Sequence, residues 1–372
     1  MAKTFLPILC CFFLFAFGNQ LEMNLSFKNE EIEIKDETIE TRPKKNISKI
    51  AFGSCAHQDS SLPIFDVIVK HDPDLFIFLG DNIYGDTKDM NVLMAKYYQL
   101  GSKPSYQNLK KNVEIIATWD DHDYGWNDAG RHYQYKKESK EIFMTFFDEP
   151  KDSERRKHEG IYTSYNYETN GKKLQVILLD NRTFRDNPKQ YEGEFADDSR
   201  YFYEMDYGPY QKDDSTFLGE EQWKWLEAEL MKPADLRLIC SGSQFGIEFN
   251  GYESWANFPH EQKRFLDLIK KTKANGVLFL SGDVHYAEVS RIKVPGLYPI
   301  YDVTASGLSS TWHFSTPNNN RIEGPVMENH FGLLTIDWTL ENPTVKMEIW
   351  DVDDNQRIEY SIGLSEISFG EE

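Results

Sequence analysis

The chain has 372 residues, 40% of them hydrophobic and 14% aromatic, which is enough apolar mass for a sizeable core in one large domain or two ordinary ones. Its formal net charge of −20 excludes roles that depend on long-range attraction to nucleic acid or anionic lipid. A phosphate substrate is not excluded, because bound cations can reverse the field inside one pocket.

Residues 1–20 read as an export signal. Lys3 supplies the positive start, an apolar stretch runs from Phe5 to Phe17, and Ala16-Phe17-Gly18 has the small-x-small form of a cleavage site. The stretch is too short for a membrane span, and no later segment is long and apolar enough to be one. A secreted or periplasmic protein is expected, and Cys10 and Cys11 inside the apolar run leave a lipid-anchored form open. After cleavage only Cys55 and Cys240 remain, too few for a disulfide framework: they pair once or have separate roles. Residues 21–47 are a polar leader segment, and the catalytic domain is expected over 48–372, with the core beginning at Ile47.

From Ile50 onward, short apolar runs end in polar residues. Ile50-Ala51-Phe52 leads to Cys55, Leu75–Leu79 to Gly80-Asp81, and Val113–Ala117 to Trp119-Asp120-Asp121-His122. Leu174–Leu179 leads to Asp180, Leu236–Cys240 to Ser241-Gly242-Ser243-Gln244, and Val277–Leu280 to Gly282-Asp283. Runs this short and apolar fit strands buried on both faces. Between them lie helical stripes: Ile142, Phe143, Phe146 and Phe147; Trp223, Leu226 and Leu230; Phe265, Leu268 and Ile269 after Pro259. The alternation predicts an α/β layered core. Strand-like runs at Tyr298–Thr304, Phe331–Trp338 and Thr344–Trp350 predict an antiparallel addition to the second half. Phe78-Leu79-Gly80-Asp81 echoes Leu280-Ser281-Gly282-Asp283 about 200 residues later, which suggests two halves facing one site. Residues 186–216 are a long polar and aromatic insertion, either a lid or a surface excursion.

The strand ends offer a specific set of groups: the Cys55 thiol, the Asp81 carboxylate with the Tyr84 phenol three residues on, His122 among Asp120, Asp121 and Asp123, then Asp180 with Arg182, and Asp283 with His285. Ligands of α/β sheets bind outside the carboxyl ends of strands. Each piece alone has an ordinary explanation, since Gly-Asp is usually a turn and Asp180 suits a cap. Five strand ends closing in ligand-type residues are hard to explain by packing. Phosphoester hydrolysis needs this mixture: two cations neutralise the phosphoryl group and activate water, a carboxylate bridges them, an imidazole serves the leaving oxygen, and an arginine fork matches phosphate.

The stretches Phe52-Gly53-Ser54-Cys55, Leu79–Tyr84, Thr118–Asp123, Asp180-Asn181-Arg182, Leu218-Gly219 with Gln222 and Trp225-Leu226, Gly282–His285 and Thr304–Leu308 resemble, in order, the alkaline phosphatase D (PhoD-like) family within the calcineurin-like metallophosphoesterase superfamily. The resemblance implies a four-layer αββα sandwich with two mixed central sheets. It implies iron (Fe3+) held by Cys55, Asp81, Tyr84 and His285, and calcium held by Asp81 as bridge with Asp121 and Asp283; other divalent cations suit the second position. It places His122 near the leaving group and Arg182 at the phosphate or as a brace; Asn127 or Asp128, in the stretch where this chain departs from the family, offers a further calcium ligand. The acidic block departs from the family in ending Asp-Asp-His-Asp before an aromatic loop, which puts Tyr124 and Trp126 on the substrate side, with Tyr133, Tyr135, Tyr203 and Trp312 as further aromatic candidates. The implied function is a phosphomonoesterase, a phosphodiesterase or both, acting on a small-molecule or lipid phosphate ester through metal-activated hydroxide. The alternatives are a non-catalytic metal- or ligand-binding protein on the same fold, and a hydrolase of another ester class such as sulfate. Quaternary state, monomer or oligomer, has no sequence signal.

Overall fold

The short apolar runs form strands and the amphipathic stretches form helices, in an alternating order. The computed structural model describes residues 46–193 and 203–370; the export signal, the leader up to residue 45 and residues 194–202 of the insertion lie outside the described residues. The first half runs β1 (Lys49–Gly53), α1 (Ile64–Lys70), β2 (Leu75–Leu79), α2 (Met90–Gly101), α3 (Pro104–Asn112), β3 (Glu114–Thr118), α4 (Asp121–Tyr124), α5 (Lys136–Phe146), α6 (Glu154–Lys157), β4 (Thr163–Thr169), β5 (Lys172–Leu178), β6 (Lys189–Gln190) and β7 (Tyr207–Gly208). The second runs α7 (Gly219–Leu230), β8 (Leu236–Ser241), α8 (Pro259–Thr272), β9 (Val277–Ser281), β10 (Ala287–Ile292), β11 (Ile300–Ala305), β12 (Arg321–Val326), β13 (His330–Asp337), β14 (Thr344–Asp351) and β15 (Gln356–Gly363).

Two mixed sheets carry the molecule. The first has the order β15-β14-β13-β1-β2-β3, with β1, β2 and β3 parallel and β13 antiparallel to β1. The second has the order β12-β10-β11-β9-β8-β5-β4, in which β11, β9, β8 and β5 are parallel. The C-terminal strands correct one expectation. β13, β14 and β15 do not extend the second half; they return to the first sheet, where Ile50 pairs with Leu334 and Phe52 with Gly332. Apolar patterning specifies that a segment is a strand but not which edge it joins. β13 is buried over most of its length, so it needs a neighbour on each side, and β1 and β14 supply them.

Side-chain alternation sorts the layers. Leu75, Ile77 and Leu79 of β2 enter the core between the sheets with Leu238, Leu278 and Val303, while Phe76 and Phe78 point to the other side, onto Phe65 of α1 and Tyr106 of α3. On the outer face of the second sheet, Phe265 of α8 meets Phe279 at 5.0 Å and Trp223 of α7 at 5.7 Å. Helix, sheet, sheet and helix give the four layers. Ile47 is fully buried, as its place at the start of the core requires. Cys55 and Cys240 are both free and buried. Among the described residues no helix is long and apolar enough to cross a membrane.

The carboxyl ends of the parallel strands of both sheets meet along one seam. Ser54 N–H donates to the Ala305 carbonyl at 3.1 Å, and Thr118 Oγ1 donates to the Leu179 carbonyl at 2.7 Å.

Candidate metal centre

The two Gly-Asp echoes face each other across that seam. Asp81 follows β2 and Asp283 follows β9, both in the left-handed region at φ 49° and 75°. Cys55 and His285 share it, at φ 63° and 58°. Backbone of this kind costs on the order of 1–3 kcal/mol per non-glycine residue and collects at functional sites. It turns the side chains inward. One ligand atom each from Asp81, Asp120, Asp121 and Asp283 lies within 4.8 Å of the others, and the same holds for Cys55, Asp81 and His285. Tyr84 Oη stands 3.5 Å from His285 Nε2. Gly80 makes the turn possible: a Cβ there would lie 2.5 Å from Asp120 Cβ.

The electrostatics of the cluster call for cations. Burial, then the neighbouring carboxylates, raise Asp81 and Asp283 well above the usual carboxylate range. Burial, then the charge of Asp81, does the same to the Cys55 thiol, and burial with the Cys55 and Asp81 charges raises Tyr84. Asp81 Oδ1 and Asp120 Oδ2 are buried without a hydrogen-bond partner. Thiolate, phenolate and carboxylates become inexpensive together only when a positive ion replaces their protons. The residues present therefore fit a metal site.

A buried brace stands behind it. Arg182 is fully buried; its Nε donates to Asp120 Oδ1 at 2.5 Å, and its Nη2 lies 2.6 Å from Glu253 Oε2 and 3.7 Å from Asp121 Oδ1. Arg185 pairs with the other oxygen of Glu253. Burial, then the Arg182 charge, lowers Arg185 to about 10. Asp180 holds Arg182 in place by accepting the Arg182 and Thr183 amides, both at 2.9 Å, which is the cap role that its sequence context suggests. Asp121 is held below its usual range: burial opposes its charge, but Arg182, His122 and the Asp128 amide outweigh burial. Asp123 serves the scaffold, accepting its own helix cap at Asp120 N (2.7 Å) and Asn82 Nδ2 (2.5 Å).

His122 sits beside the carboxylates, with Nδ1 on Asp86 Oδ1 at 2.7 Å and its ring 4.3 Å from that of Tyr84. Burial disfavours its charge, but Asp81, the Asp86 bond and Asp121 push it up to about 11. Burial, then the His122 charge, lowers His285 to about 4. Asp128 joins Asp121 and Glu253 in a further acidic group, with Asp128 N donating to Asp121 Oδ2 at 2.5 Å; Asn127 Nδ2 donates to Asp128 Oδ2 at 2.6 Å. Trp126 and Asp128 line a cavity of about 240 Å³ with His132, Gln190 and Tyr207. Tyr124 is not brought to that surface: it is fully buried, its hydroxyl donating to the Gly130 carbonyl at 3.1 Å.

Several residues of the site escaped the sequence reading. Glu253 comes from an irregular loop with no motif. Ser306 belongs to the Thr304–Leu308 stretch, whose pattern assigns it no role: its Oγ accepts the His285 amide at 2.9 Å and lies 3.2 Å from Cys55 Sγ. His330 Nε2 accepts the Ser306 amide at 3.0 Å. His57 stacks on Tyr84 at 4.7 Å. Only the proximity of His57 to Cys55 in the chain could have flagged it.

The family model described as PhoD-like phosphatase matches residues 50–319. The chain is 23% identical over 294 residues to alkaline phosphatase D of Bacillus subtilis (strain 168), covering 68% of this chain and 48% of that protein. It thus spans about half the length of the curated relative it matches. A solved structure of PhoD superposes with a TM-score of 0.60 at 17% identity, over 85% of this chain and 72% of that one. The structure of GAP50, described as the anchor in the inner membrane complex of Plasmodium, superposes with a TM-score of 0.52 at 13% identity, over 88% and 90% of the two chains. At these identities the two structures establish the fold.

Proposed function

Because the chain belongs to the PhoD-like phosphatase family, we propose that it is a metal-dependent phosphoesterase that hydrolyses phosphomonoesters, phosphodiesters or both. The observation that carries this reading is the gathering of Asp81, Asp120, Asp121 and Asp283 around one point with Arg182 as their buried cation. Cys55, Asp81, Tyr84 and His285 would hold iron, since thiolate and phenolate are donors that suit iron(III). Asp81, Asp121 and Asp283 would hold calcium or another hard divalent cation. Bound there, the cations would neutralise phosphoryl charge and lower the pKa of water.

The chain's own residues supply the rest. His122 is the leaving-group acid. Its Nδ1 proton is committed to Asp86, so Nε2 carries the proton to be given. A water oxygen forms the new bond to phosphorus, the ester P–O bond breaks, and the Nε2 proton passes to the departing oxygen; a proton from the water then restores the imidazolium. Cations on Asp81 and Asp121 would cancel those residues' share of the lift on His122 and leave Asp86 as the partner that sustains its charge. Arg182, fully buried, acts as a positioning residue that aims Asp120 and Asp121. Trp126 is the substrate-side aromatic, and Tyr124 supports it through Tyr133, whose ring lies 5.3 Å from Tyr124 and 4.8 Å from Trp126. The signal-like residues 1–20 favour an exported enzyme.

Elemental analysis of the purified protein tests the reading together with turnover. Iron with calcium, a visible tyrosinate–iron(III) colour that Tyr84→Phe removes, and hydrolysis of phosphate esters over sulfate esters are expected. Metal-free, colourless and inactive protein, unchanged by added iron and calcium, would overturn it.

A further inference from the structure

An aromatic flank runs along the ligand cluster and has no part in the chemistry just described. The Trp312 ring lies parallel to His285, with 5.3 Å between centroids and 5° between planes, and the Trp312 amide donates to the His285 carbonyl at 3.1 Å. Phe314 stacks on Trp312 at 5.3 Å and 15°. Trp312 nevertheless keeps part of its surface exposed. Tyr252 meets Trp312 at 5.1 Å and 46°, splayed into a wedge rather than a closed stack. Tyr252 is also the chain neighbour of Glu253, whose carboxylate holds Arg182 and Arg185 beside Asp121. The Trp312–Tyr252 pair therefore lies on the His285 flank of the cluster, and both rings are only half-buried.

The flank is held stiffly. Thr316, five residues before Arg321 and fully buried, takes Tyr286 Oη at 2.7 Å and Asn250 Nδ2 at 2.9 Å on its hydroxyl, and Arg321 Nη2 at 2.6 Å on its carbonyl. Those bonds tie the loop that carries Trp312 to the loop that carries Tyr252. Stiff, uncharged rings beside a phosphoryl site recognise a flat apolar group by stacking, and give a saturated ring of equal size only its buried area.

We propose that Trp312 and Tyr252 form a stacking subsite for a flat aromatic substituent of the phosphoester substrate. The proposal rests on the phosphoesterase reading and narrows it to a substrate class. The test is the ratio of kcat/KM for benzyl phosphate to that for cyclohexylmethyl phosphate, repeated with their methyl diesters. The two leaving alcohols are alike in size, but benzyl alcohol is the more acidic, so ring recognition is read from the change in the ratio between wild type and variants. Wild type should favour the benzyl ester about threefold to tenfold beyond what leaving-group acidity gives. The ratio should fall by that factor in Trp312→Leu and, independently, in Tyr252→Leu, and persist in Trp312→Phe. Equal rates in wild type, a ratio that survives both leucine changes, or a preference for phosphocholine over benzyl phosphate would overturn it. If no phosphate ester is turned over at all, the phosphoesterase reading fails separately. Calorimetric binding of benzylphosphonate against cyclohexylmethylphosphonate then decides the subsite, and equal or absent binding of the two sinks it.

Discussion

Replacing His330 with glutamine tests the scaffold that aims Cys55 and His285. His330 is fully buried; its Nε2 accepts the Ser306 amide at 3.0 Å, and its Nδ1 faces the Glu328 carbonyl at 2.7 Å. A neutral ring with its proton on Nδ1 satisfies both bonds. Burial, only partly offset by the Glu328 carbonyl, lowers its pKa from the ordinary 6.5 to about 4. The unfolded chain binds this proton below pH 6.5, whereas the folded chain resists until about pH 4. The contribution to stability is therefore whole above 6.5 and is lost as pH falls through that window. From about pH 7.5 to about pH 4.5 the loss is on the order of 2.5 kcal/mol. Urea unfolding with chelator present at the two pH values, for wild type and His330→Gln, measures it. Glutamine keeps an acceptor for Ser306 but does not titrate, so wild type should lose about 2.5 kcal/mol more than the variant. Parallel losses would refute a neutral, buried His330.

Four substitutions, one of them a control, probe the rest of the centre. Asp81→Ala should remove metal seen by elemental analysis and lower kcat about a hundredfold or more, because it deletes the proposed bridge; Cys240→Ser, buried on β8 away from the ligands, should keep both, and equal turnover of the Asp81 variant and wild type would end the assignment. Glu253→Gln leaves Arg182 and Arg185 buried with a missing counter-charge and should cost about 3–5 kcal/mol in chemical denaturation; an unchanged midpoint would contradict the brace. Gly80→Ala places a methyl 2.5 Å from Asp120 Cβ and 2.7 Å from Asp120 N at φ +109°. It should destabilise by about 2–4 kcal/mol and reduce activity, and a neutral result would show that the turn relaxes freely.

Local pattern made much of the site legible. Each ligand-type residue closes a buried apolar run, and a strand that short can only deliver its last residues to the edge of its sheet. Asp81, Asp121, Asp283, Cys55 and His285 were therefore readable one strand at a time, and the Gly-Asp echo indicated that two halves face one point. Asp180 reads as a cap, and its carboxylate is spent on backbone amides. Tyr124 is not separable from Trp126 by pattern: two residues apart, the first closes α4 with its ring turned inward and the second is only partly buried.

The sequence by itself determined the order of the buried strands that lead to the site, the α/β layering, and the donor chemistry at their ends, because these follow from periodicities of two and 3.6 and from side-chain type; β4, β10, β12 and β15 were not legible in it. Only the tertiary structure decided that β13, β14 and β15 close the first sheet, that Glu253 and His330 stand behind the buried thiol and carboxylate cluster, and that Arg182 is sealed from solvent. Those facts depend on pairings across 60 to 280 residues of chain, as in Ile50 with Leu334 and Arg182 with Asp120. A buried charge or an unpaired strand edge must find a partner, but nothing local in the sequence names which one.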